Sequence, residues 1–274
     1  MNEQQPNEPF NPFLIDSLNH PLASPIRKLV HRTGRQELDQ ILIDDEENIL
    51  QALDAGVEVE SVYYAGNEVI SDTLRENLTP GATIHEVAKR TTKKLFANDK
   101  ISRIFAIAET PKPKGLEVLK DIKKDIVVLE ELGISGNIGN IVRTSLALDM
   151  GGMLLLNMDP LDLYDRRLIR ASRGYMFKLP IITASTEEFL DYCKTNNETI
   201  LVTVMDGDKS VEEITSIPDR LLIVFGSEKK GVSSEVEKAA NLKVRIPINE
   251  RVESLNVSAA AGITLFNRIQ FNRK

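Results

Sequence analysis

At 274 residues, 42% apolar and 27% charged, the chain is long enough for one large or two ordinary domains and has the composition of a globular protein. A formal net charge of -7, from 34 basic and 41 acidic residues, argues against coating nucleic acid through bulk charge, although local clusters can reverse that. The start of the chain is polar, the apolar runs are too short to span a bilayer, and the single cysteine, Cys193, excludes an internal disulfide and any multi-cysteine metal site, so a cytoplasmic protein without membrane contact is expected. His20, His31 and His85 all lie in the first third, so chemistry in the remainder would use no histidine base, no Ser-His-Asp triad and no histidine-bound metal.

Residues 1–23 read as a flexible arm, with prolines and asparagines and little apolar periodicity at its start. Regular patterning then gives a helix from Ile26, a strand at Gln40 to Ile43, a helix from Glu46 to Ala55, a strand at Val59 to Tyr64, a helix from Ser71 and a strand near Thr83. This is a small α/β unit, residues 24–114, closed by the Pro/Gly-containing linker Glu109 to Gly115. Its cations fall in two groups, Arg27, Lys28, Arg32 and Arg35, then Lys89, Arg90, Lys93, Lys94, Lys100 and Arg103. Such groups are compatible with a solvated face and with RNA phosphates.

Residues 115–274 alternate strand and helix. Strands are expected at Asp125 to Leu129, Gly152 to Leu156, Leu179 to Thr183, Ile200 to Val204, Leu221 to Phe225 and Leu242 to Ile248. Helices are expected at Gly139 to Met150, Leu163 to Ser172, Glu187 to Lys194, Ser210 onward, Ser234 to Ala240 and Asn256 to Arg268, with capping boxes at Ser185/Glu188, Ser210/Glu213 and Ser234/Glu237. Repeated β-α alternation implies a mostly parallel sheet with helices on both faces.

Ligands of such sheets bind beyond the carboxyl ends of the strands, where three loops stand out. Gly136 to Thr144 is a glycine-containing turn feeding a helix, and it matches neither a dinucleotide fingerprint nor a P-loop. Its Arg143, off the apolar face, taken by itself reads first as a solvated helix arginine, with its guanidinium also free to serve a site. Phe225 to Gly231 follows an apolar strand and carries Glu228, which fits a plain turn as well as a ligand loop. Ile246 to Gly262 places Ser254 and Asn256 before a helix of small residues, suited either to tight packing or to close approach of a ligand. Arg166, Arg170 and Arg173 recur at i+4 and i+3, as if on one helix face, beside Arg167.

The stretches GNIGNIVRTSLAL, DRRLIRASRGYMFKLP, DGDKSVEEI, PDRLLIVFGSEKKG and IPINERVESLNVSAAAGI, in this order, resemble the motifs of the SpoU branch of the SPOUT methyltransferases, above all the thiostrepton- and nosiheptide-resistance 23S rRNA methyltransferases. The resemblance implies an α/β catalytic domain with a C-terminal trefoil knot, a small ribosomal-protein-like RNA-binding domain before it, and a homodimer. It implies an enzyme that uses S-adenosyl-L-methionine to methylate the ribose 2'-hydroxyl of an adenosine in 23S rRNA. By motif position Asn137, Arg143, Glu228, Ser254 and Asn256 would be the catalytic set, and Thr203, Gly226, Ile246, Ile248, Leu255 and Asn256 the cofactor contacts. Arg166, Arg170 and Arg173, with Arg27, Arg32, Lys89, Arg90 and Lys93, would contact RNA. Most of the branch has glycine after the acid of the second motif, whereas this chain has Lys229, as the resistance enzymes do. A tRNA ribose methyltransferase of the same branch and a non-catalytic ribosome-associated RNA-binding protein are the alternatives.

Overall fold

The structure, a computed structural model, describes residues 14–96, 99–133, 135–227 and 229–272. They form two compact units: one comprises the chain up to Leu53 together with Glu58–Glu109, the other Asp54–Val57 and the chain from Thr110 onward.

The first unit runs β1 (Leu14–Ile15), α1 (Ala23–Leu29), α2 (Arg32–Leu38), β2 (Gln40–Asp44), α3 (Glu46–Asp54), β3 (Val59–Ala65), α4 (Asp72–Asn77), β4 (Thr83–Val87), α5 (Lys89–Leu95) and β5 (Ile104–Glu109). Its sheet has the order β1-β4-β3-β5-β2 and mixes parallel and antiparallel pairs. Ile15, Ile26, Leu29, Leu42, Phe96 and Phe105 meet in its core. Residues 14–23, expected in the arm, therefore belong to the fold, with Ile15 fully buried on β1; residues 1–13 lie outside the described residues. Helix α5 escaped the sequence reading because its run of cations hides the buried side, which uses Thr91 and Thr92 as well as Leu95. Both hydroxyls are satisfied there, Thr91 donating to the Asp16 carbonyl at 2.6 Å and Thr92 to that of Ala88 at 3.3 Å.

The second unit runs β6 (Ile126–Glu130), α6 (Ser135–Ala147), β7 (Gly152–Leu156), α7 (Pro160–Leu163), α8 (Arg166–Ala171), β8 (Ile181–Ala184), α9 (Thr186–Asn196), β9 (Thr199–Thr203), β10 (Lys209–Ser210), β11 (Leu221–Phe225), α10 (Ser234–Ala239), β12 (Leu242–Arg245) and α11 (Val257–Asn272). Its seven-stranded sheet is parallel throughout, in the order β10-β12-β9-β11-β6-β7-β8. The runs IVVLE, GMLLL and LLIVF are buried at every position, as strands covered on both faces must be. The capping boxes at Ser185 and Ser210 form, but α10 is capped by Ser233, not Ser234, its hydroxyl accepting from the Val236 amide.

Two expected elements are interrupted. The helix foreseen from Leu163 to Ser172 breaks before α8, where Asp165 is extended and its side chain accepts from the Arg167 amide. The strand foreseen to Ile248 stops at Arg245, because Pro247 donates no ladder bond and holds its predecessor extended outside the sheet.

The far end of helix α11 is fastened by the Arg268 side chain. The Arg268 guanidinium, 2% exposed, meets the Asp125 carboxylate at 2.7 and 3.2 Å and also donates to the carbonyls of Ile214, Ile217 and Asp219. Asp125 in turn accepts from the Leu221 amide at 2.7 Å, so one ion pair joins α11 to the starts of β6 and β11. Removing either partner leaves a buried uncompensated charge, a loss of about 3–5 kcal/mol. Arg268→Met and Asp125→Asn should each lower the denaturant midpoint by a corresponding amount, and Arg268→Lys should recover little, because an ammonium cannot reproduce the fork.

Cys193 packs into the same unit, and burial pushes its thiol up to about 12 from an ordinary 9.0, with Arg220 opposing that only in part. The folded chain keeps a proton that the unfolded chain releases, so this contribution is complete below about pH 9 and is lost as the pH rises towards 12. Denaturant midpoints should fall between pH 8.5 and 11, and less steeply in Cys193→Ala.

Candidate active site

The order of the second sheet reverses between β6 and β11, the arrangement that opens a crevice at carboxyl ends of parallel strands. A cleft of about 390 Å³ lies beyond β9, β11 and β12. Thr203, Gly226, Ile246, Ile248 and Leu255 all line it, with Ser254. Its apolar wall is the Ile246 to Ile248 segment that proline excluded from the sheet. Among the described residues the Thr203 hydroxyl, at the end of β9, is buried without a hydrogen-bond partner, a polar group that a bound ligand would satisfy.

The loop after β11 is closed on itself. Ser227 and Gly231 exchange backbone hydrogen bonds at 3.0 and 2.8 Å, and Gly231 takes φ 70°. Gly226 sits so tightly against this return that a Cβ would stand 2.0 Å from the Gly231 carbonyl carbon. Glu228, expected in this loop, lies outside the described residues.

Asn256 is the hinge between the first and third motifs. Its carboxamide oxygen accepts from the Ser258 amide at 2.9 Å and its carbonyl from Ala259 and Ala260 at 3.0 Å, so it caps α11. The Asn256 carboxamide NH2 donates to the Asn137 side-chain oxygen at 3.2 Å, bringing together residues 119 positions apart. The neighbouring residues Ser254 and Leu255 enter the cleft, while Asn256 stands beside it. Arg143, two turns further along α6, is exposed and lies outside the cleft lining.

Helix α6 is held against α8 at Gly139, where a Cβ would stand 2.4 Å from that of Ala171. The arginines of this region do not share one exposed face. Arg166 is 1% exposed and does not reach the solvent side, whereas Arg167 is exposed and Arg170 half-buried. Arg173 lies past the end of α8 in a left-handed conformation, φ 53°, before Gly174 at φ 73°, so its exposure comes from a turn and not from helical spacing. In the first unit Arg27, Arg32, Lys89, Arg90 and Lys93 are exposed, while Arg35 is 3% exposed.

The sequence reading passed over Met205, Asp206 and Lys230, which also line the cleft. The first two follow β9 directly, so their place after a parallel strand was the available signal. Among the described residues no group of three or more His, Cys, Asp or Glu could hold a metal ion, and no helix is long and apolar enough to cross a membrane.

Residues 124–266 match the SpoU rRNA Methylase family, and residues 12–122 match the N terminus of the thiostrepton-resistance methylase. The chain belongs to the SpoU rRNA methylase family. Relatives of this methylase include the 23S rRNA (adenosine(1067)-2'-O)-methyltransferases of Streptomyces azureus, 35% identical over 94% of this chain and 97% of that one, and of Streptomyces laurentii, 37% identical over 89% and 90%. Among solved structures, an RNA 2'-O ribose methyltransferase is similar with a TM-score of 0.80 at 26% identity, covering 95% of this chain and 100% of that one. An AdoMet-bound rRNA methyltransferase from Sinorhizobium meliloti is similar with a TM-score of 0.79 at 25% identity, over 94% and 97%.

Because the Gly226 return admits no side chain, Gly226→Ala should distort the cleft wall. Calorimetry with S-adenosyl-L-methionine should show affinity weakened at least about tenfold, the effect of roughly 1.4 kcal/mol, whereas Thr203→Ser, which keeps the hydroxyl, should remain near the parent value.

Proposed function

We propose that this protein transfers the methyl group of S-adenosyl-L-methionine to the ribose 2'-hydroxyl of an adenosine in 23S rRNA, and that this modification confers resistance to thiopeptide antibiotics. The observation that carries the reading is the cleft at the ends of β9, β11 and β12, joined through Asn256 to Asn137 on α6. The two Streptomyces relatives, matching nearly the whole chain, support the choice of rRNA and of adenosine.

In this reading the cofactor lies in the cleft and brings a methyl already activated on a sulfonium. The protein's tasks are alignment and partial deprotonation of a weak nucleophile. Thr203 gives its buried hydroxyl to the cofactor, and the closed loop at Gly226 presents backbone at close range. Arg143 anchors the phosphate beside the target and orients the hydroxyl, since a guanidinium is a poor base and a good bidentate donor. That phosphate or Glu228 takes the proton. Arg170 and Arg173, with Arg27, Arg32, Lys89, Arg90 and Lys93, hold RNA phosphates; Arg166 is left out because it is buried.

The enzyme acts as a cytoplasmic homodimer, a second copy covering Ile263 and Phe266 of α11, which are 38% and 53% exposed in the single chain. The passage from β12 through Ile246 to Ile248 into α11 forms the trefoil knot of the fold.

Mass mapping of a 23S rRNA fragment after incubation with enzyme and cofactor should find one methylated adenosine ribose, with tRNA unmodified; methylation of tRNA alone would overturn the assignment. Arg143→Ala and Arg143→Lys should both abolish transfer while cofactor affinity changes little, since a lysine loses the bidentate geometry. Arg170→Ala and Arg173→Ala should weaken RNA binding and reduce its log-log salt slope by about one for each phosphate no longer neutralised, measured by filter binding across salt concentrations.

A further inference from the structure

The turn that follows β9 is built more tightly than an exposed loop requires. The Val204 amide donates to the Val244 carbonyl at 2.9 Å and the Arg245 guanidinium donates to the Gly207 carbonyl at 2.7 Å, so β12 holds the turn on both sides. Gly207 is buried against that strand, where a Cβ would stand 2.5 Å from the Val244 carbonyl carbon. Met205 and Asp206 stand at the tip, both exposed and both lining the cofactor cleft.

Their place decides which end of the cofactor they can meet. The sheet runs β12-β9-β11-β6, so the turn stands two strand spacings, roughly 10 Å, from β6, whose following helix carries Asn137 and Arg143 of the substrate side. The methyl group leaves towards that helix, and a half of the cofactor that does not react lies towards β9 and β12. β12 leads directly into Ile246 and Ile248, the apolar wall of the cleft. Met205, 59% exposed, adds a thioether to that wall, a surface suited to a purine ring and not to a zwitterionic amino-acid tail.

Beside it Asp206 supplies the complementary polar group. A vicinal diol donates two hydrogen bonds, and a carboxylate has two oxygens with about four lone-pair sites to receive them. Lys243 on β12 meets Glu237 at 2.6 Å, and Asp206 and Asp208 add to the negative field around its ammonium. The hydrogen bond of that cation goes to Glu237, which leaves acceptor sites on Asp206 for a ligand.

We propose that Asp206 binds the ribose of S-adenosyl-L-methionine, its carboxylate accepting from both hydroxyls, with Met205 against the adjoining purine. This rests on the methyltransferase reading above, and it adds Asp206 and Met205 to the cofactor contacts inferred from motif position. Because β12 holds the turn beforehand, little ordering is needed when the ligand binds.

The test is calorimetry with 5'-deoxy-5'-methylthioadenosine, which keeps the adenosine of the cofactor and lacks its amino-acid tail. With the parent protein, the 2'-deoxy analogue should bind about tenfold more weakly than the ribose compound, the low end of the range for a hydrogen bond to a charged group. Asp206→Ala should weaken the ribose compound by a similar factor and then lose almost nothing more on the 2'-deoxy analogue, and Asp206→Asn, which keeps one neutral acceptor oxygen, should fall between. S-adenosyl-L-homocysteine should lose the same factor in Asp206→Ala as methylthioadenosine does. Met205→Ala should weaken both compounds alike, through the purine they share. Equal 2'-deoxy losses in the parent and in Asp206→Ala would overturn the proposal. So would a loss confined to S-adenosyl-L-homocysteine, because the carboxylate would then read the ammonium of the tail. A parent protein that binds neither compound sinks the methyltransferase reading together with the proposal, whereas binding without the coupling sinks the proposal alone.

Discussion

The architecture of the second unit depends on a buried ion pair. Arg268 and Asp125 are 2% and 5% exposed, and a pair so placed is favourable only when every remaining donor is satisfied. Here the remaining donors find carbonyls of the segment that precedes β11, and the carboxylate also takes an amide from β11 itself. The consequence is positional. α11 is held at its far end to the bases of β6 and β11, while its near end, capped by Asn256, is held to α6 through Asn137. Ser254 and Leu255 therefore enter the cleft from a helix restrained at both ends.

The cleft itself owes more to backbone than to side chains. Proline ends β12 early and leaves Ile246 and Ile248 as a wall, and Gly226 allows the loop after β11 to fold back on Gly231 at a distance no other residue permits. A site made this way is preorganised, because its shape comes from hydrogen-bonded strands and closed turns that need not be ordered again when a ligand binds.

Much of this was legible beforehand. Parallel strands buried on both faces appear as unbroken apolar runs, so β6, β7 and β11 were placed within a residue of their ends, and the boxes at Ser185 and Ser210 marked their helix starts. Thr203, Gly226, Ile246, Ile248, Leu255 and Asn256 were expected from motif position to contact the cofactor; the first five line one cleft, and Asn256 stands outside its lining. The arginine row was misread because periodicity assigns a face without saying whether that face is covered. Arg166 shares its spacing with Arg170, yet it is 1% exposed while Arg170 is half-buried. Helix α5 was missed for the opposite reason, its buried side resting on threonines whose hydroxyls are satisfied only by a partner segment and its own turn.

The sequence by itself determined the family, the α/β alternation and the residues of the motifs, since these follow from local periodicity, capping and residue identity. Tertiary structure alone decided which of those residues meet. Asn137 and Asn256 are 119 positions apart, and the strand order that sets β11 between β6 and β9 joins segments that no local pattern connects. Whether an arginine faces solvent or the interior, and whether two strand ends enclose a cavity, depends on burial, which is a property of the packed chain and not of any window along it.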